Sequence, residues 1–195
     1  MANLNLDRSK TAVLSMDLFK GMANNPMVQE RNTMGNARKV LDAARVAGVP
    51  VIHVVIGFRE GYPEVSDRNK LFGGMIKKNG LMRMGGEQVE IHDLVKPAPG
   101  EVVVNRPRIN PFYNSELPSL LKAKDIETVV LMGISTNFVV EAAVRHAADA
   151  DYRVIVLEDC CASHARAEDH DWTIQNVLSR LVDVASSDDF VESVR

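Results

Sequence analysis

Three short stretches of this 195-residue sequence carry groups suited to acid–base chemistry. Asp17 directly follows an apolar run, where partial burial would raise the pKa of its carboxyl group and make it an acid or a base. Arg106 follows another apolar run and is a permanent cation, able to keep Asp17 ionised or to bind an anionic substrate. Gly133–Asn137 (GISTN) is a small-residue turn whose backbone N–H groups suit an oxyanion or a carboxylate.

Each of these features also has a purely structural interpretation. An aspartate after a strand is often a turn residue or a helix N-cap. A single loop arginine is often solvated, and Arg108, two residues after Arg106, competes for the same role. Tight turns in α/β proteins often resemble GISTN. The three stretches therefore predict a site only if the fold brings them together.

The surrounding sequence alternates between apolar strands and amphipathic helices. Near-continuous Val, Ile and Leu runs are typical of parallel strands that are covered on both faces. Strands are predicted at Thr11–Met16, Val51–Ile56, Glu101–Val104, Thr128–Met132, Arg153–Leu157 and Val182–Ala185. Helices are predicted at Met27–Val46, Ser135–Ala150 and Asp169–Leu181.

This alternation predicts a three-layer α/β/α sandwich around a mainly parallel, Rossmann-like, doubly wound sheet. Ligands of such sheets bind beyond the carboxyl ends of the strands, which is where all three chemical stretches fall. The segment Gly57–Gly100 does not follow the alternation and is rich in glycine. Long irregular segments are often functional loops, lids or oligomer contacts, although a surface excursion without a role is the alternative.

Composition and charge exclude several classes of function. The net charge of −3 gives no reason to expect binding to nucleic acid or to a membrane surface. No apolar run reaches the roughly 18–20 residues that cross a bilayer, and no apolar signal segment begins the chain. Cys160 and Cys161 are adjacent and imply no disulfide framework, so a cytoplasmic location is predicted. No GxGxxG or GxxxxGK[ST] motif indicates a nucleotide.

Three blocks of the sequence resemble the isochorismatase-like (cysteine hydrolase) superfamily. They are VLSMDLFKG, VVVNRPRINPFYNSEL and LMGISTNFVVEAAVRHAADADYRVIVLEDCCAS. The resemblance runs nearly the whole chain and implies a single hydrolase domain over residues 1–195. It also implies a small-molecule substrate, a homodimer or homotetramer, and a cis peptide bond at Ile134–Ser135. Some members bind a metal through an Asp-x-His pair and a further His, which this chain lacks, so no metal and no other cofactor are predicted.

The resemblance also shows where this chain departs from the family pattern. Amidohydrolase members use an Asp–Lys–Cys triad, whose positions correspond here to Asp17, Arg106 and Val139. Valine is not a nucleophile, so covalent chemistry at that position is impossible. Arginine does not exchange protons at neutral pH but binds carboxylates well. Cys160 and Cys161 lie near the same end of the sheet, yet buried inert thiols are the better interpretation.

Three hypotheses follow from these departures. In the first, the chain hydrolyses a carboxylate-bearing vinyl ether as true isochorismatases do, with Asp17 as the acid and Arg106 binding the substrate. In the second, a water activated by Asp17 hydrolyses a related C–O or C–N bond, with the GISTN turn stabilising the oxyanion. In the third, the chain is a catalytically altered or inactive member that only binds a small molecule.

Further side chains are assigned by their position along the chain. His53 is expected in the core, His146 on an exposed helix face, and Trp172 in a helix or subunit contact. His164 follows the fifth strand and is a candidate for the pocket. The residues predicted to bind substrate are Phe19, Phe112, Tyr113, Ile134, Ser135, Thr136 and Val139.

Overall fold

The computed structural model describes residues 4–195, and its centre is one six-stranded parallel sheet in the order β3-β2-β1-β4-β5-β6. The strands are β1 Thr11–Met16, β2 Val51–Ile56, β3 Val102–Arg106, β4 Thr128–Ile134, β5 Arg153–Ala162 and β6 Asp183–Ala185. The strand order reverses between β1 and β4, so their carboxyl ends form the crevice where such sheets bind ligands. The predicted doubly wound fold is confirmed.

Helices cover both faces of the sheet, as the predicted sandwich requires. They are α1 Pro26–Glu30, α2 Thr33–Ala47, α3 Leu117–Ala123, α4 Glu141–Asp149, α5 Ala167–Asn176 and α6 Ser187–Ser193. One apolar core lies between the sheet and α2 and α6, and the other lies between the sheet and α3, α4 and α5. Alternate residues of β1 enter the two cores, since Val13 packs on one side and Leu14 on the other.

Three strands extend further toward the crevice than the sequence predicts. β3 ends with Arg106, β4 continues to Ile134 and β5 continues to Ala162. The β4–β5 register shifts between Leu131 and Gly133, so that Cys161 and Ala162 pair with Gly133 and Ile134 after the apolar run of β5 has finished. Arg106 is therefore fixed by the sheet itself instead of lying in a loop.

The predicted helix boundaries need correction at three places. Met27–Val46 is two helices, α1 and α2, because Asn32 takes a left-handed conformation (φ 51°) between them. Ser135–Ala150 begins with a π-helical turn, Thr136–Val140, before α4. Asp169–Leu181 ends early, with α5 followed by a short 3₁₀ turn, while α3 and α6 are additional helices. Within residues 4–195, no helix has the length and apolar character needed to cross a membrane.

The irregular segment between β2 and β3 folds over the carboxyl end of the sheet. It forms a third apolar cluster in which Phe58, Tyr62 and Phe72 pack with Phe19, which follows β1. The Phe58 and Phe72 rings lie 5.4 Å apart, and a π-helical turn spans Phe72–Lys77. The segment thus builds the wall that faces the crevice.

Gly133 allows β1 and β4 to approach closely beside the crevice. It pairs with Met16, and a Cβ atom at Gly133 would lie 2.3 Å from the Met16 carbonyl oxygen. We expect Gly133→Ala to lower the free energy of unfolding by about 1–3 kcal/mol in urea denaturation, since the strands must move apart. Gly74→Ala is the matched control, because nothing lies within 4 Å of its Cβ position. An equal loss of stability in Gly133→Ala and Gly74→Ala would contradict a specific need for glycine between β1 and β4.

Candidate active site

A buried ion pair lies at the carboxyl ends of β1 and β3. The Arg106 Nη2 atom donates to Asp17 Oδ2, and the two residues are 1% and 7% exposed. Arg106 Nη1 donates to the carbonyl of Arg108 at 2.5 Å. The Arg108 side chain points elsewhere, donating to the carbonyls of Pro107 and Glu64. The structure thus pairs Arg106, and not Arg108, with Asp17.

Asp17 is held in an unusual backbone conformation and an unusual electrostatic environment. Its φ is 53°, a left-handed value that Asp and Asn tolerate better than other side chains, and its N–H donates to the Val54 carbonyl. Burial raises the pKa of Asp17 to about 6 even though the positive charge of Arg106 lowers it. Among the described residues, Asp17 Oδ1 has no hydrogen-bond partner. The backbone of Ile56 also lowers the pKa of this carboxyl group through a hydrogen bond, and Asp17 lines the adjacent cavity.

A cavity of about 370 Å³ opens beside this pair. Twelve of its sixteen lining residues are apolar, and the four polar ones are Asp17, Arg106, Ser135 and His164. The apolar wall consists of Phe19, Met22, Ile56, Leu71, Phe72, Met75, Ile76, Met82, Ile109, Ile134, Phe138 and Val139. The cavity therefore suits a substrate with an apolar body and one polar, reacting group.

The last residue of β4, Ile134, and the turn that follows it contribute to the cavity, the turn through Ser135 and Val139. The Ile134–Ser135 peptide bond is cis, which confirms that prediction. Val139 is 2% exposed, so the position where the family places a thiol presents two methyl groups. Ser135 Oγ lies 2.5 Å from His164 Nδ1, and His164 is thus in the cavity.

The next two residues of the turn face away from the cavity. Thr136 is fully buried, and its Oγ1 lies 2.7 Å from Nδ1 of His170 on α5. Asn137 Oδ1 accepts a hydrogen bond from Ser163 Oγ at 3.0 Å. Thr136 and Asn137 both belong to the π-helical turn Thr136–Val140. Its i→i+5 hydrogen bonds give more residues per turn than an α-helix, so the side chains point in different directions than they would on an α-helix. The Thr136 side chain therefore supports the turn from behind instead of lining the cavity.

Phe112 and Tyr113 also lie outside the cavity lining, unlike the prediction. The chain turns away after Arg106, so Phe112 packs into the core beneath α4 and stacks on His146 with ring centroids 4.6 Å apart. His146 is half-buried by this contact instead of exposed. Tyr113 is 61% exposed on the surface.

His53, Trp172 and the two cysteines lie outside the cavity lining. His53 is buried and its Nε2 lies 3.0 Å from Glu101 Oε2, while burial lowers its pKa. Trp172 is largely exposed on α5. Both cysteines are fully buried, and burial raises the pKa of Cys161 to about 12 and that of Cys160 well above its usual value. Neither thiol lines the cavity.

Sequence reasoning missed most of the apolar wall. Leu71, Phe72, Met75, Ile76 and Met82 come from the irregular segment, whose glycines hide any helical periodicity. The methionine content of this segment was the available signal, since methionine is frequent on adaptable binding surfaces. Among residues 4–195, no group of three or more His, Cys, Asp or Glu side chains could hold a metal ion. That the protein works without a metal stays a prediction.

Comparison with known proteins agrees with this geometry. The model of the Isochorismatase domain matches residues 11–189. The chain belongs to the isochorismatase family. Ureidoacrylate amidohydrolase RutB of Rhizobium rhizogenes is 30% identical over 98% of this chain and 86% of that protein. The isochorismatase family protein YwoC of Bacillus subtilis is 27% identical over the full length of both.

Solved structures of isochorismatase-family and cysteine hydrolase proteins share the fold. A cysteine hydrolase from Pseudomonas syringae pv. phaseolicola gives a TM-score of 0.88 at 20% identity, covering 97% of this chain and 94% of that one. N-carbamoylsarcosine amidase from Thermoplasma acidophilum gives 0.72 at 27% identity, covering 92% and 97%. The match to the Isochorismatase domain and the likeness to the amidohydrolases show that the chain is a hydrolase of the isochorismatase family.

The surroundings of Val139 give a test of the cavity. Wild-type protein should resist iodoacetamide under native conditions, because both of its thiols are buried and their pKa values are raised. Val139→Cys should take up one carbamidomethyl group, since Val139 lines the cavity. Intact-mass spectrometry measures both results. Val144→Cys, at a core position on α4, is the control that should stay unmodified. Equal alkylation of the two variants would contradict the assigned position of Val139.

Proposed function

We propose that this isochorismatase-family hydrolase cleaves a C–N or C–O acyl bond of a small, mainly apolar substrate without a thiol, using Asp17 for proton transfer. The observation that carries the proposal is the Asp17 carboxylate, which is buried beside the cavity with Oδ1 free and its pKa raised to about 6. A carboxylate with a pKa close to the working pH both accepts and returns a proton efficiently. The position where the family has its cysteine nucleophile is Val139, and valine can neither attack the substrate nor accept a proton.

The ionised form of Asp17 supports a role as base. With a pKa of about 6, most Asp17 is ionised at neutral pH. It then takes a proton from the attacking group and returns it to the leaving nitrogen or oxygen. Vinyl-ether hydrolysis, the first hypothesis from the sequence, instead needs protonated Asp17 and is therefore the second candidate. Amide-type chemistry also fits the ureidoacrylate amidohydrolases that the chain resembles.

The charges of the cavity favour a neutral substrate over the carboxylate-bearing one expected from the sequence. Arg106 is the only lysine or arginine among the sixteen lining residues, and its charge is already matched by Asp17. A second carboxylate would have to compete with Asp17 for it inside a low-dielectric site, which is costly. The guanidinium of Arg106 thus keeps Asp17 ionisable and positions it.

The test is a substrate panel assayed on purified protein. It compares neutral aryl and alkyl amides and esters with ureidoacrylate and isochorismate. We expect the highest kcat/KM for neutral apolar acyl compounds that fit about 370 Å³. A preference for isochorismate would favour the vinyl-ether alternative. Ligand binding by thermal shift, with no turnover of any panel member, would favour the non-catalytic alternative.

A further inference from the structure

Ser135 and His164 form a side-chain pair inside the cavity that the proton chemistry of Asp17 does not use. Ser135 Oγ and His164 Nδ1 are 2.5 Å apart, and both residues line the cavity next to Val139. Ser135 is only 6% exposed, so its hydroxyl is shielded from bulk water. A serine hydroxyl bonded to an imidazole nitrogen is the arrangement that activates serine as a nucleophile.

The loop that carries His164 is fixed in place by several contacts. The His164 N–H donates to Ser135 Oγ at 3.2 Å, and Asn25 Nδ2 donates to the His164 carbonyl at 2.9 Å. The His164 ring packs against Phe138, with centroids 5.6 Å apart. These contacts hold the imidazole against the hydroxyl before any substrate binds, which is the preorganisation that catalysis needs.

A neighbouring Thr–His pair shows what a purely structural contact looks like in this protein. Thr136 and His170 form a similar hydrogen bond, but both are buried away from the cavity, at 0% and 2% exposure. His164 is exposed and lines the cavity. Only the Ser135–His164 pair can therefore meet a substrate.

We propose that Ser135 is the nucleophile of this site and His164 its base, taking the place of the absent thiol. The inference rests on the proposed hydrolase function and deepens it. Asp17 then serves the second half of the reaction. Its position supports this role, because Asp17 and Ser135 follow the paired strand residues Met16 and Gly133–Ile134 and both line the same cavity.

The reaction proceeds in two balanced steps. In the first, Ser135 Oγ bonds to the acyl carbon while His164 Nδ1 takes the hydroxyl proton. The bond to the leaving nitrogen or oxygen then breaks, and that atom takes the proton from His164. In the second, water attacks the acyl carbon while Asp17 takes one of its protons. The Ser135–acyl bond breaks, and Ser135 Oγ takes that proton, which restores the enzyme and releases the acid.

The experiment uses phenylmethylsulfonyl fluoride, an apolar reagent that labels activated serines. Wild-type protein should gain one sulfonyl group, which peptide mass spectrometry places on Ser135. Ser135→Ala should gain none. His164→Asn keeps a polar atom near the Nδ1 position but cannot act as a base, so we expect labelling to slow by about 10²-fold or more. Ser179→Ala, at an exposed serine bonded to Gln175, should label as wild type does.

Hydrolysis of p-nitrophenyl acetate separates this inference from the proposed function. A burst of p-nitrophenol in wild type, absent in Ser135→Ala, would support acyl transfer to Ser135. Unlabelled wild-type protein, or a Ser135→Ala variant that hydrolyses substrates at the wild-type rate, would overturn the inference and leave water activation by Asp17 standing. Labelled Ser135 without turnover on the amide and ester panel would support the nucleophile and overturn the proposed function.

Discussion

Asp17→Asn is expected to lower kcat for ester hydrolysis by about 10²–10⁴-fold, the usual contribution of a general acid or base. Asparagine has nearly the shape of aspartate and tolerates the left-handed backbone at this position, where φ is 53°. Its amide oxygen still accepts from Arg106, so the variant loses the ionisable group while keeping the local geometry. Activity is measured on protein shown to be folded by circular dichroism.

Asp125→Asn is the matched control for this substitution. Asp125 lies just before β4 at the other end of the sheet, and its exposed side chain pairs with Lys10. Because Asp125 is far from the crevice, the same chemical change there should leave kcat within about twofold of wild type, and losing its exposed ion pair with Lys10 should cost little stability. A similar loss in both variants would indicate a general effect on the protein and not a role for Asp17.

The pH profile identifies what Asp17 does. Burial raises its pKa to about 6, so the ionised base accumulates as the pH rises through that value. The kcat of wild type for ester hydrolysis should therefore rise with a midpoint near pH 6 and level off above it. Asp17→Asn should lose this limb of the profile. A wild-type rate that falls through pH 6 would make Asp17 an acid and favour vinyl-ether hydrolysis.

The sequence predicts the polar residues of the site, because these residues lie at the carboxyl ends of the strands. Asp17, Arg106 and Ser135 each end or follow a buried apolar strand, and parallel strands bring their carboxyl ends to one edge. The apolar runs themselves determine which strands are central. Placing these three residues together therefore requires no knowledge of long-range tertiary contacts.

The apolar residues that line the cavity could not be predicted from strand ends. Proximity to Arg106 in sequence suggested Phe112 as a lining residue, but the turn after β3 sends it into the core against His146. Its place in the GISTN turn suggested Thr136, but the π-helical turn directs the Thr136 side chain toward His170. The real wall comes from residues 71–82, whose placement depends on long-range contacts with Phe19 and β2. Such contacts leave no local periodicity in the sequence.

Arg106→Met should be the most destabilising of the substitutions considered, lowering the free energy of unfolding by about 3–5 kcal/mol at pH 8. The reason is that Asp17 would stay buried without its counter-charge, since Arg106 is 1% exposed and bonded to it. Urea denaturation measures the loss. Arg38→Met, which breaks an exposed pair with Asp42, is the control and should cost less than about 1 kcal/mol.

The loss in Arg106→Met should shrink as the pH falls. The folded-state pKa of Asp17 is already above its ordinary value of 3.8, and removing the lowering influence of Arg106 raises it further. The folded variant then binds a proton that the unfolded chain releases, so its stability falls as the pH rises from 3.8 through the raised pKa. Adding Asp17→Asn to Arg106→Met removes the buried charge and should recover stability at pH 8. A loss that is the same at pH 5 and pH 8, and unchanged in the double variant, would mean that Arg106 stabilises the fold through packing and not through its charge.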